Sequence, residues 1–218
     1  MNALGFSAAL VFTGSLLACQ AHAQTTPDFG QYGQGLVNWI EQCKGGHGVS
    51  PQAAIVMCTQ VIHIGAGLDL ADLLGNRAMA YEQLGDHEHA LADLDRAKKL
   101  EPKNVIVITN ACYIRAVWGR ELDQALADCN RSLELRPNDS DTLQTRALVQ
   151  LRRGKYAEAI ADSSVALDLQ PNSALALYLR GVARRKSGDG EAGDRDVDAA
   201  KVIEPHIEQR YSALGLSP

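Results

Sequence analysis

Cysteines, histidines and the plentiful carboxylates are the residues of this chain that could do chemistry, and their spacing decides which chemistry is open to them. Past residue 24 the cysteines are Cys43, Cys58, Cys112 and Cys129. No two of them are close enough in sequence to form the paired ligands of a zinc site or a thioredoxin-like redox site. His87 and His89 flank Glu88, but no other His or Cys is near them in sequence, and a metal ion needs three or four ligands at close range. The serines sit in no Gly-x-Ser-x-Gly turn, no Gly-rich turn is built to cradle phosphate, and there is no His-Glu-x-x-His. The expectation is no catalytic residue, no metal and no cofactor. Two sets of charged residues still need a reason, because they recur.

Asp93, Asp128, Asp162 and Asp196 return at nearly constant spacing. So do Pro102, Pro137, Pro171 and Pro205, at intervals of 35, 34 and 34 residues. Each proline follows an apolar stretch with helical spacing, and proline ends a helix because it lacks an N–H and its ring clashes with the preceding turn. Between the prolines run Gly85, Gly119, Gly154 and Gly188, suited to a left-handed helix end. Small residues form further columns: Ala78, Cys112, Ala147 and Gly181 in one, and Ala90, Ala125, Ala159 and Gly193 in another. Small side chains let two helices approach closely. Arg77, Arg146 and Arg180 each precede the first of these columns by one residue. Repeated Arg–Asp pairs at helix contacts would fix packing geometry. In the second repeat Ala111 replaces the arginine, and Arg115, one helical turn on, can substitute. That repeat also has one extra residue in its turn, between Arg120 and Asp123.

This spacing resembles the tetratricopeptide repeat over residues 70–205, most fully at Leu74, Ala78, Tyr81, Gly85, Ala90, Leu94, Ala97 and Pro102. The resemblance implies an all-α fold, a right-handed superhelix of stacked helical hairpins with a concave groove. It divides the chain into repeats at 71–104, 105–139, 140–173 and 174–205, within a span of 69–205. A degenerate leading hairpin is expected over 34–68, beginning at Gln34 and capped in its second helix by Ser50-Pro51. A capping helix and tail occupy 206–218, and residues 24–33 read as flexible. The first helices of such repeats line the groove. Met79, Tyr113, Gln144, Leu148, Arg152, Tyr178 and Arg185 are therefore the expected binding residues, with Arg152 and Arg185 favouring an acidic, apolar segment. A groove filled by the protein's own N-terminal segment is the competing arrangement. The expected partner is a protein or peptide, and self-association is a further reading. On the hairpin boundaries, Cys43 and Cys58 fall on one hairpin and Cys112 and Cys129 on another, so disulfides within hairpins are expected. Four buried thiols are the alternative.

Residues 1–23 contain no Asp, Glu, Lys or Arg, are mostly apolar, and end in Ala21-His22-Ala23. That pattern is a secretory signal peptide, without the usual basic start, and an exported chain can hold disulfides. Periplasmic or secreted location follows. Leu16-Leu17-Ala18-Cys19 also resembles a lipobox, which would make Cys19 a lipid anchor in the outer membrane. The net charge of −5 disfavours nucleic acid, and nothing past residue 24 is apolar for long enough to span a membrane.

Overall fold

The computed structural model describes residues 29–44, 48–65 and 69–217, and among these 11 helices and no strands are found. The helices are Phe29–Cys43 (α1), Pro51–Ile64 (α2), Leu70–Gln83 (α3), His87–Leu100 (α4), Val105–Trp118 (α5), Leu122–Leu135 (α6), Ser140–Arg152 (α7), Tyr156–Leu169 (α8), Ala174–Ser187 (α9), Gly190–Ile203 (α10) and Ile207–Ser212 (α11). They pair as hairpins α1–α2 to α9–α10, each packed on the next. Residues 1–23, with the expected signal peptide and Cys19, lie outside the described residues. The segment 24–33 needs a correction: α1 begins at Phe29, so its last part is helical. Extending a formed helix backwards costs far less than starting one.

Local chemistry sets the helix ends. Ser50, Asp69, Asp86, Asn104, Asp139, Ser173 and Asp189 each accept a backbone N–H of the helix they open. This satisfies donors that no helix can satisfy internally. The second helices α4, α6, α8 and α10 stop at Leu100, Leu135, Leu169 and Ile203, each two residues before a proline.

Small residues govern how close the two helices of a hairpin come. The limit is reached between α9 and α10: a Cβ on Gly181 would lie 2.8 Å from the Gly193 carbonyl oxygen, and one on Gly193 would lie 2.8 Å from the Gly181 oxygen. Cys43 and Cys58 join α1 to α2 with sulfurs 2.15 Å apart, and Cys112 and Cys129 join α5 to α6 with sulfurs 2.00 Å apart. All four cysteines are buried. A cross-link closing a loop of this length stabilises by ~3 kcal/mol in the chain-entropy account.

The recurring aspartates meet their arginines. Arg77 donates to both oxygens of Asp93 at 2.7 and 2.8 Å, Arg146 to both of Asp162 at 2.8 and 2.7 Å, and Arg180 to both of Asp196 at 2.8 Å. In the second repeat Arg115 takes over. Its guanidinium reaches Asp128 on α6 at 2.7 Å, Asp95 on α4 at 3.1 Å and Glu121 at 2.8 Å. The extra residue of that turn now has a role. Glu121 sits at φ +51°, the one described non-glycine residue with positive φ, and it caps Arg115 rather than α6. Lys98 joins the cluster by bonding Asp128 at 2.9 Å and Asp95 at 3.0 Å. Burial favours the neutral Asp95 carboxyl, but Lys98 and Arg115 outweigh it and hold its pKa below the usual range.

Arg115 has a side chain only 2% exposed, so truncating it strands buried carboxylate charge. Arg115→Ala should destabilise the fold by ~3–5 kcal/mol in urea unfolding. Asp95, 43% exposed, can turn to water, so Asp95→Ala should cost ~1 kcal/mol or less. A loss below ~1 kcal/mol for Arg115→Ala would mean the cluster does not hold α4, α5 and α6 together.

Candidate functional site

Successive first helices touch one another: α1 with α3, α3 with α5, α5 with α7, and α7 with α9. Successive second helices stand farther apart, and α4 meets α6 through a long side chain, Lys98 on Asp128. The first helices therefore line the inner side of the stack. This face has two parts with different surfaces.

The part built by α5, α7 and α9 is covered by the chain's own C-terminal segment. Ile207 and Tyr211 of α11 and Leu216 beyond it are buried, and Leu214 packs against the same core. Tyr178 is completely buried. Its ring lies 5.6 Å from that of Tyr211, and its hydroxyl donates to the Leu216 carbonyl at 2.8 Å. Arg152 donates from Nη2 to the carbonyls of Leu214 at 2.8 Å and Val117 at 3.0 Å. Gly119 makes room for this arginine: a Cβ there would stand 2.8 Å from Nη1.

The residues expected to line an open groove are thus placed differently from the expectation. Tyr178 and Leu148 are core residues, 0% and 2% exposed. Gln144, 5% exposed, links two helices: its amide donates to Ser140 Oγ at 3.1 Å and its oxygen accepts from Ser173 Oγ at 2.7 Å. Arg185 is paired with Asp194 at 2.6 Å. Met79 is half-buried among α3, α4 and α5. Tyr113 is half-buried within the electrostatic reach of Tyr211, Arg210 and Glu82. The physical reason is one that repeat spacing does not carry: α11 folds back over the inner face instead of merely closing the end of the stack. The apolar spacing of Ile207, Tyr211 and Leu214 is the signal for this in the sequence.

The part built by α1, α3 and α5 is a cleft of about 470 Å³. Ile40, Leu73, Ile106 and Val107 form its aliphatic walls, and Asn76 and Asn110 present amides from neighbouring first helices. Ile106 is 65% exposed, unusual for an isoleucine on an inner face. Asp69 and Asp72 stand at one edge and Lys44 at another, the lysine paired with Glu41 at 3.1 Å. Glu82, further along α3, is half-buried, and burial raises its pKa. These residues can grip a chain segment by apolar contact and amide hydrogen bonds. Among the described residues no cluster of His, Cys, Asp and Glu could hold a metal ion. No described helix is long and apolar enough to cross a membrane.

Burial pushes the Tyr113 phenol up to about 12, with Glu82 and Tyr211 adding to the effect. An acid with a folded pKa above its usual 10.0 ionises first in the unfolded chain. Its contribution to stability is whole below pH 10 and is lost as pH rises towards 12. Urea unfolding across that window should show stability falling, and Tyr113→Phe should reduce the fall. An unchanged slope in the variant would show that Tyr113 is not buried in solution.

The tetratricopeptide repeat profile matches residues 71–104 and, in a second form, residues 129–161, from the middle of α6 into α8. A search of curated proteins finds no match. Among solved structures, a MamA fragment from Desulfovibrio magneticus RS-1 matches with a TM-score of 0.68 at 16% identity, covering 83% of this chain and 99% of that one. MamA MSR-1 matches at 0.64 with 20% identity, covering 82% and 99%. At such identities the likeness is one of fold. With the profile matches lying on the stacked, glycine- and proline-punctuated hairpins, the chain is a tetratricopeptide-repeat protein.

Proposed function

We propose that this protein is a non-catalytic adaptor of the bacterial cell envelope that holds a segment of a partner protein in the cleft between α1, α3 and α5. Tetratricopeptide repeats and the fold likeness support an interaction scaffold. The single observation that carries the site is the cleft itself, with its aliphatic walls and two asparagine amides. Such a surface suits an extended or helical segment that buries alternate apolar side chains. Export is supported by the charge-free apolar start of the sequence and by two buried cysteine pairs at bonding distance. Disulfides persist in oxidising compartments and are rare in the reducing cytosol.

A photo-crosslinking side chain placed at Ile106 or Asn110 tests the site in cells. Both positions should yield the same partner adduct, and Arg131, on the second helix α6, should yield none. An adduct at Arg131 alone would move the function to the outer helices. A crosslink from Ile106 to residues 24–33 of the same chain would show the cleft filled by its own N-terminal segment.

Export has its own test. Mature protein from the native host should begin near Gln24 and should resist alkylation at all four of its cysteines until reduced. A chain retaining Met1 with free thiols would overturn export. A lipid-modified Cys19 would replace the free periplasmic form by an anchored one.

A further inference from the structure

The C-terminal segment is held the way a peptide groove holds a ligand. Ile207, Tyr211 and Leu216 are buried and Leu214 packs partly buried beside them, along a short helix and the turn that ends it. Its last part is gripped through main-chain carbonyls, Leu214 by Arg152 and Leu216 by the Tyr178 hydroxyl. Carbonyl capture adds no side-chain selectivity of its own, so another segment of the same apolar pattern fits the same cradle.

Arg152 gives a reason for exchange. Among the described residues no carboxylate pairs with it. Its Nη2 bonds only two neutral carbonyls, and its Nε is buried without a partner. Burial lowers its pKa, as expected for a cation that lacks a counter-charge. A carboxylate arriving there would turn a cation–carbonyl hydrogen bond into an ion pair and supply the counter-charge that the half-buried guanidinium lacks. The segment's own hold is local. Helix α11 has 6 residues, and Pro205 separates it from α10. Such short terminal elements open at lower free energy than the core.

We infer that the cradle of α5, α7 and α9 is a peptide-binding site with the chain's own residues 207–216 as its resting occupant, and that a partner segment of the same apolar pattern, bearing a carboxylate at Arg152, takes their place. The site is separate from the α1–α3–α5 cleft, so each reading stands or falls alone. The tether gives the resident segment an effective concentration in the millimolar range. A plain copy of it therefore competes poorly, and the carboxylate decides the exchange.

The test uses the full chain and a fluorescent peptide spanning His206 to Leu214, made once as the free acid and once as the C-terminal amide. In the free acid the terminal carboxylate falls where Arg152 now meets the Leu214 carbonyl. The free acid should bind at least about tenfold tighter than the amide, and Arg152→Gln should erase that difference. Hydrogen exchange on the unmodified protein provides a readout that needs no variant. The amides of Leu214, Gly215 and Leu216, bonded within the segment at 3.1, 2.9 and 3.0 Å, should exchange at least about a hundredfold faster than those of α9. They should exchange faster still when the free-acid peptide is present. Equal binding of acid and amide, binding of neither, or exchange of these amides only at the rate of α9 would each overturn the proposal and leave α11 a fixed cap.

Discussion

In each repeat an arginine of the first helix is clamped to an aspartate of the second, and the rest of the architecture depends on that contact. The fork of the guanidinium meets the carboxylate at two points in three of the four repeats, which fixes rotation as well as distance. With rotation fixed, the small-residue columns face each other and the helices close to contact. Arg77 and Arg146 also bridge backwards, to Thr59 on α2 and Asn130 on α6, so the same side chain sets the step to the preceding hairpin. Such pairs are weak sources of net stability, since taking ions out of water cancels much of their attraction. Their use here is to select one geometry out of the many that interchangeable apolar faces would allow.

That geometry brings the first helices side by side and generates an inner face, but the face is not uniform. Towards the C-terminus the tail lies on it, and Tyr178, Leu148 and Val182 become core. Towards the N-terminus the cleft keeps Ile106 exposed and two asparagines free to face a ligand. Arg152 marks the border between the two, reaching from α7 to the end of α5 on one side and to the tail on the other. The inner face thus has two separate surfaces, one covered by the chain's own tail and one an open cleft, rather than one continuous strip.

Much of the architecture was legible because repetition amplifies weak signals. One proline or one glycine says little, whereas four at matched spacing mark helix ends. Even the substitution of Arg115 for a missing arginine could be read, since a position one helical turn away points to the same side. The candidate site was less legible. Gln144 and Tyr178 stand in first-helix positions that resemble groove residues, yet their partners are Ser173 and Leu216, 29 and 38 residues away. The bond from Arg152 to Leu214 spans 62 residues. Contacts of that range arise from where the tail turns, and the tail lies outside the periodic pattern. The start of α1 was missed for a related reason: a degenerate hairpin has no second copy to set its register.

The Arg–Asp clamp holds each hairpin in its geometry. A double-mutant cycle on Arg146 and Asp162, with Arg146→Ala, Asp162→Ala and the double variant unfolded in urea, measures it most directly. A coupling of ~1–3 kcal/mol is the predicted result. A coupling below ~0.3 kcal/mol, with both single variants near wild-type stability, would contradict the account.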